Sequence, residues 1–491
     1  GRAGSSSLGE LCGDALRMVF SRNEVRTHDE PLAAERSVSP GSDALQSPWM
    51  WQRKGSFDFD ESYWTTRCDV EPFKLNDPVL EAPLIEGIEC RGTIASSTAT
   101  LVLTSVGSGV FALPFAFSCA GTGTGMILTI VMSIFSCLSA YALVCCADAA
   151  GVFSYEEIVL AAWGKMGAPC VEVVIILLLL GAMAAVLTLI MDALPDLVHA
   201  LLPSKGVSAT VSWGHALMAC IIVLILLPLS CSRSMHALRH SNTLAVFCVF
   251  GAWAYVVVHG ALTFTGGGGV LAYRPAFNGP AQVLQAVPII MLSFCMHVQL
   301  PTVYGELRER SLRRMFRSLG GQAITCLVVY LSMGVFGLRL FPGTEPVPGD
   351  VLLGFDPQNP LVLGIRVAVG ISCVSVFPLL CLPCRSTLDH LVFGGGVAAA
   401  PEARLRHCVE AAVVVLLASL LACSVGDLGK VTAITGAVGG TLLCYVFPLA
   451  LFLRLCDRGS VERCLVRAGL VGVSTLSALA LFSVFSNMLK S

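Results

Sequence analysis

Apolar runs of about 20 residues recur along the chain from residue 96 onward, separated by short polar stretches. A helix of about 20 residues crosses the hydrocarbon core of a bilayer, so each run predicts one transmembrane helix. We predict eleven spans, at residues 97–119, 124–147, 168–192, 212–231, 242–264, 282–304, 320–341, 360–383, 407–425, 431–453 and 465–487. The pattern indicates an all-α membrane protein with 11 transmembrane helices.

Residues 1–95 follow a different pattern, because they mix Ser, Pro and charged residues with isolated aromatic residues and show no sustained periodicity. Such a composition is typical of a chain that does not bury a core. We therefore predict a mostly disordered tail over residues 1–95 and a transmembrane domain over residues 96–491. Within that domain, residues 154–167 predict a short helix on the membrane surface, which Ser154 and Glu157 open at capping-box spacing.

Composition agrees with the bilayer as solvent, because 55% of the residues are hydrophobic and only 13% are charged. A soluble domain averages about 25% charged residues. The net charge of -2 argues against a nucleic-acid partner. The 21 cysteines lie mostly in apolar runs and form no paired CxxC set with histidine support, so neither a metal site nor a cofactor is predicted.

The positions of Lys and Arg predict the orientation. If the tail is cytosolic, the inner loops hold 15 of the 21 Lys and Arg residues that follow residue 95. The strongest cluster lies at residues 306–318, with the sequence ELRERSLRRMFRS. This asymmetry fits the positive-inside rule with a cytosolic N-terminus and an outside C-terminus.

Two predicted spans carry helix breakers near their middle. The first contains TSVGSGVFALP at residues 104–114, and the sixth contains Pro288, Pro301 and a polar patch between them. Dividing the first ten spans into two halves of five places the breakers in the first helix of each half. Transporters built from inverted repeats have broken helices at these positions, so the pattern favours a transporter over a channel or a receptor.

The broken backbone itself suggests a ligand. Gly107 and Gly109 let the chain unwind and allow a ligand to approach closely. Freed N–H groups at the start of a half-helix suit a carboxylate, and freed carbonyls suit a cation or an ammonium group. A zwitterionic amino acid carries both charges. The alternative is that the glycines serve only close helix packing.

Three further side chains of the sixth span are candidates with open alternatives. His297 is a candidate for pH sensing or gating, or it bonds a backbone carbonyl structurally. Tyr304 and Glu306 are candidates for a gate with cytosolic arginines, or they belong to a solvated loop.

Six motifs in order resemble the amino acid/auxin permease family, which includes vacuolar, proton-coupled and sodium-coupled neutral amino acid transporters. The resemblance covers about residues 96–487. It rests on residues 106–121 (VGSGVFALPFAFSCAG), 154–167, 227–246, 295–307 (CMHVQLPTVYGEL), 377–393 and 434–455.

The resemblance implies a LeuT-like fold of five plus five inverted-repeat helices with an eleventh helix, alternating access, and an amino acid as cargo. It places substrate-binding backbone at Val106, Gly107, Ser108 and Gly109, and the facing side of the site at Phe294, Cys295 and His297.

One position departs from the sodium-coupled branch of that family, whose ion-binding asparagine corresponds here to Leu103. The helix-8 hydroxyl of that site falls on Val374 or Val376, with Ser372 and Ser375 nearby, and Thr104 and Ser105 offer other oxygens. We therefore expect proton coupling or facilitated exchange rather than sodium coupling. The membrane is either vacuolar or lysosome-like, or the plasma membrane.

Two other classes of function compete with a secondary transporter. An amino acid sensor that signals through the tail is the alternative. An enzyme is not expected, because the spans contain no paired carboxylates, no nucleophile beside a base and no metal ligand set.

Overall fold

The structure, a computed structural model, describes residues 92–201, 207–231, 239–265, 276–341, 347–356, 358–393, 401–456 and 459–488. These ranges are helical apart from their connections and one isolated β-bridge between Gly92 and Leu307. The α-helices are α1 Ile94–Ser105, α2 Leu113–Ala120, α3 Thr122–Ala150, α4 Tyr155–Trp163, α5 Ala168–Leu201, α6 Val207–Ile221, α7 Leu227–Ser230, α8 Arg239–Thr265, α9 Pro280–Ser293, α10 Leu300–Gly305, α11 Leu312–Leu338, α12 Pro360–Phe393, α13 Pro401–Val425, α14 Leu428–Thr435, α15 Phe447–Leu455 and α16 Ser460–Met488.

The predicted all-α membrane protein is confirmed. In the described ranges nine helices are long and apolar enough to cross a membrane, or ten if the bent pair α1–α2 is one span. The count of eleven is not established, because the predicted sixth span, 282–304, is divided. Its first part, α9, has 14 residues and its second part, α10, has 6.

Two membrane helices contain π-helical turns, which widen the helix locally. Ile222–Leu226 joins α6 to α7. Gly436–Gly440 and Leu442–Val446 join α14 to α15. The second pair brings Tyr445 into the middle of the domain, where its side chain is fully buried.

The predicted tail lies almost wholly outside the described residues, so that prediction is untested. The described chain starts at Gly92, and Thr93 opens α1 with a capping box. The Thr93 hydroxyl accepts from Ser96 N at 3.1 Å, and the Ser96 hydroxyl accepts from Thr93 N at 2.8 Å. This reciprocal pair satisfies donors that a helix start otherwise leaves unbonded.

The predicted surface helix is present as α4, but its predicted capping box is wrong. Ser154 makes no side-chain hydrogen bond to the backbone of α4. Its hydroxyl donates to Glu156 Oε2 at 2.6 Å instead, so the hydroxyl is bonded to a neighbouring side chain. The apolar face of α4, at Tyr155, Ile158, Val159 and Ala162, is buried as its helical spacing predicts.

Small residues let the central helices approach closely. The helix α9 packs against α2, α14 and α16. At Gly436 an added Cβ would lie 2.7 Å from the carbonyl carbon of Pro288 in α9. Because that neighbour is backbone, it cannot rotate away. Close approach at glycine is typical of helix contacts in membranes, where packing rather than the hydrophobic effect holds helices together.

We expect Gly436→Val to lower the thermal unfolding temperature of the detergent-purified protein. Overpacking of this kind costs about 1–3 kcal/mol, because α9 must move away from the π-helical turn. Gly472→Val on α16 is the matched control, since a Cβ there meets no atom within 4 Å. Equal unfolding temperatures for the two variants would contradict this account of the packing.

Candidate functional site

The first span is broken where the sequence predicts. Helix α1 ends at Ser105, Val106 and Gly107 leave the helical conformation, and a 3₁₀ turn at Ser108–Ala112 leads into α2. Gly107 is extended, with φ -119° and ψ -152°. The helix axis bends by 54° across the break.

This break leaves backbone groups without partners. Gly107 N donates to Ser105 O at 3.1 Å, and Val110 N donates to Gly107 O at 3.2 Å. Within the described ranges, the N–H groups of Ser108 and Gly109 and the carbonyl of Val106 have no hydrogen-bond partner. Gly107 is exposed, and a Cβ built on it meets nothing within 4 Å. Gly107 therefore borders open space, and Ser108 and Gly109 beside it are half-buried.

At the second break, between α9 and α10, protein side chains form hydrogen bonds with the backbone carbonyls. Three carbonyls at the end of α9 accept side-chain hydroxyls from other helices. Tyr330 of α11 donates to Ser293 O at 2.5 Å, and Tyr445 donates to Met291 O at 3.3 Å. Ser136 of α3 donates to Phe294 O at 3.4 Å.

The sequence analysis missed these hydroxyl donors. The available signal was the isolated polar residues of apolar spans, namely Ser136, Tyr330 and Tyr445. It did not indicate which backbone atoms they reach.

His297 lies in the second break and is fully buried. Its Nε2 is 3.3 Å from the Ser139 hydroxyl of α3, and that hydroxyl donates its only proton to Cys444 O. Nδ1 is buried and has no partner among the described residues.

The other predicted substrate residues of this break have different surroundings. Phe294 is buried with its ring edge-to-face on Tyr330, at a centroid distance of 5.0 Å. Cys295 is half-buried, and its N–H bonds back to Leu292 O at 2.9 Å. Phe294 thus contributes to packing, and Cys295 is the more accessible of the two.

Thr104 and Ser105 connect the first break to neighbouring helices. Thr104 Oγ1 donates to Thr100 O at 2.8 Å and lies 3.3 Å from Gln299 Oε1. Ser105 Oγ donates to Leu101 O at 2.9 Å and accepts from Gln322 Nε2 of α11 at 2.9 Å. Gln322 is a buried polar residue that the sequence analysis did not select.

Ser372 and Ser375 of α12 do not join this site. The Ser372 hydroxyl donates to Val369 O at 2.8 Å, and the Ser375 hydroxyl donates to Ile371 O at 3.1 Å. Both bonds lie within their own helix. Leu103, at the position of the asparagine, has no side-chain oxygen.

The two gate candidates, Tyr304 and Glu306, have different surroundings. Tyr304 donates to Asp148 Oδ1 of α3 at 2.7 Å. The Arg310 guanidinium lies 5.9 Å from the Tyr304 ring and 4.0 Å from the Phe153 ring. Glu306 is exposed and pairs with no arginine in the part of the chain described here. Of the two gate candidates, Tyr304 alone thus lies near an arginine among the described residues.

A membrane helix broken midway, with unpaired backbone groups beside an open space, is the arrangement by which secondary transporters hold their cargo. The family comparison agrees with that class. The model of the family described as "Transmembrane amino acid transporter protein" matches residues 91–489. The chain belongs to this family, which confirms the predicted resemblance to amino acid permeases.

Curated relatives share about a quarter of their aligned residues with this chain. Mouse (Mus musculus) "Solute carrier family 38 member 10" is 27% identical over 385 residues, covering 77% of this chain and 35% of the relative. Zebrafish (Danio rerio) "Putative sodium-coupled neutral amino acid transporter 11" is 25% identical over 367 residues, covering 74% of this chain and 79% of the relative. The match thus spans about a third of the mouse protein. Both relatives are named as carriers or transporters, in agreement with the prediction that the chain is not an enzyme.

Solved transporter structures align with most of the chain at low identity. The inward-facing conformation of Mhp1 aligns at 13% identity with a TM-score of 0.49, covering 80% of this chain and 88% of that one. A manganese transporter of Eremococcus coleocola aligns at 10% identity with a TM-score of 0.46, covering 81% of this chain and 87% of that one.

We expect Tyr330→Phe to destabilise the protein by about 1–3 kcal/mol, because it leaves the Ser293 carbonyl buried without a partner. Thermal unfolding in detergent measures this effect. Tyr255→Phe in α8 is the control, since its ring stacks on His259 and its hydroxyl bonds no described residue. If both variants unfold at the wild-type temperature, the hydroxyl does not support the break.

Proposed function

We propose that this protein is a secondary transporter that moves amino acids across a membrane by alternating access. The observation that carries the proposal is the pair of unpaired N–H groups at Ser108 and Gly109, beside the open space at Gly107. Family membership supports an amino acid as the cargo.

The substrate carboxylate accepts hydrogen bonds from the N–H groups of Ser108 and Gly109. These groups begin the 3₁₀ turn that continues into α2, so the positive end of the helix dipole adds to the attraction. The carbonyl of Val106 is the free acceptor for the ammonium group. The half-buried Cys295 lies on the facing side of the site.

Alternating access requires a group of helices that moves as one body. Hydrogen bonds around the two breaks join α1 to α11 through Ser105 and Gln322, and α9 to α11 through Ser293 and Tyr330. Another joins α3 to the break after α9 through Ser136. We infer that α1–α2, α3, α9–α10 and α11 form this body. We also infer that the first ten spans of the domain form two inverted halves of five helices each.

Coupling to protons, or no coupling, fits the site better than sodium. Leu103 offers no side-chain oxygen where the sodium-coupled branch of the family has its ion-binding asparagine. The unpartnered Nδ1 of His297 is a candidate proton acceptor inside the body that moves.

We expect Gly107→Leu to abolish amino acid uptake into proteoliposomes, because the side chain fills the space beside the unpaired N–H groups. Uptake of a panel of radiolabelled L-amino acids, with sodium and pH gradients imposed separately, is the measurement. Gly251→Leu in α8 is the control, because it makes the same substitution at an exposed membrane-helix position with no atom within 4 Å.

Normal uptake by Gly107→Leu would show that the first break is not the substrate site. Loss of uptake in both variants would indicate a defect in folding or membrane insertion. It would also count against a specific role for Gly107. No uptake of any amino acid by the wild-type protein would overturn the proposed function.

A further inference from the structure

The segment between α11 and α12, at residues 347–356, lies at the end of the bundle opposite the arginine-rich residues 306–318. We call it the capping loop. It contains a 3₁₀ turn at Val351–Gly354. Val351 lies near Gly337 of α11, where Pro114 of α2 also packs, and Gly349 lies against Asp427 at the start of α14. The capping loop therefore contacts both the moving body inferred above and helices outside it.

Arg366 of α12 clamps the capping loop to two other helices. Its side chain is buried, with 4% of its surface exposed. Nη2 donates to Leu352 O at 2.6 Å and to Phe355 O at 3.3 Å. Nη1 forms an ion pair with Asp196 of α5. The one guanidinium thus connects α12, α5 and the capping loop.

Asp350 is a buried acid within the capping loop, and no cation among the described residues forms an ion pair with it. Its side chain is 4% exposed, and Oδ1 accepts from Leu352 N at 2.9 Å. It lines a small hollow together with Asp192 and Arg366. The charges of Arg366 are directed at Asp196 and at backbone carbonyls instead. The titratable groups on the elements packed around the capping loop are Asp192 and Asp196 of α5, His259 and Tyr255 of α8, Arg366 and Cys373 of α12, and Asp427 and Lys430 of α14.

These surroundings disfavour a negative charge on Asp350. Burial, the Leu352 N–H, which acts in the opposite direction, and the nearby Asp192 and Asp427 together raise the pKa of Asp350 from 3.8 to about 8, and burial is the largest cause. When the capping loop leaves this place, the side chain enters water and its pKa returns toward the ordinary value. The proton's contribution to the docked state is therefore complete below about pH 4 and is lost as the pH rises through about 8.

We propose that Asp350 is a proton-binding site that controls docking of the capping loop at the end of the transporter opposite the arginine-rich loop. With a proton on Asp350, the loop stays clamped by Arg366 and that end is closed. Loss of the proton places an unpaired carboxylate beside Asp192 and Asp427, and the loop is released. The inference rests on the proposed transport function for its purpose, although docking itself is measurable without transport.

Hydrogen exchange of residues 347–356 in the detergent-purified full chain, corrected for intrinsic exchange rates, tests the proposal. We expect wild-type protection to fall by up to about tenfold per pH unit between about pH 4 and about pH 8, and to level off above about pH 8, where Asp350 is ionised in both states. Asp350→Asn keeps the oxygen that accepts from Leu352 N and cannot ionise, so its loop should stay protected throughout. Asp350→Ala loses that oxygen, and its loop should be less protected at every pH.

Asp356→Asn is the control, because Asp356 belongs to the same loop but is exposed, and its profile should match the wild type. A wild-type profile without pH dependence, or an Asp350→Asn profile that still falls with pH, would overturn the proposal. Exchange in α5 and α12 reports folding, and an Asp350→Asn variant unprotected there as well would also count against it. If loop protection depends on pH while no amino acid is taken up, only the proposed function fails; if uptake occurs while protection is flat, only this inference fails.

Discussion

The hydrogen-bonding demand of the peptide backbone inside a bilayer governs this structure. Hydrocarbon offers no partner for an N–H or a carbonyl, so the backbone groups at an interruption of a membrane helix must form hydrogen bonds with protein, ligand or water. The two interruptions described here, after α1 and after α9, differ in whether protein groups supply these hydrogen bonds. After α9, three hydroxyls bond the freed carbonyls. After α1, the N–H groups of Ser108 and Gly109 remain unpaired.

This difference assigns separate roles to the two breaks. The bonded break connects α3, α9 and α11, and makes them suited to move together. The open break supplies the groups that a zwitterion needs. Arg366 holds the capping loop at one end of the assembly and forms an ion pair with Asp196. Asp350 of the loop lies near two further acids, Asp192 and Asp427. The proposed substrate site and the proposed proton-dependent closure are thus separated within one fold.

Much of this was predictable from sequence, because the bilayer imposes simple rules. Apolar length predicted the spans, and Gly107, Gly109 and Pro301 predicted where helices break. The hydroxyl partners were not predictable, because Tyr330 and Ser136 lie 37 and 158 residues from the carbonyls they reach. The predicted capping box at Ser154 is wrong for a local reason, because the Ser154 hydroxyl donates to the Glu156 carboxylate and makes no hydrogen bond to the helix backbone. The count of eleven spans is not established, because the sixth predicted span is divided into two short helices.

The central claim is that the unpaired N–H groups of the first break bind the substrate carboxylate. The most direct measurement compares competition by a transported amino acid and by its methyl ester, which keeps the side chain and the ammonium group but loses the negative charge. Hydrogen bonds to a charged group contribute about 1.5–3 kcal/mol, so the ester should compete at least about tenfold more weakly. Equal competition by the ester and the free amino acid would contradict the account.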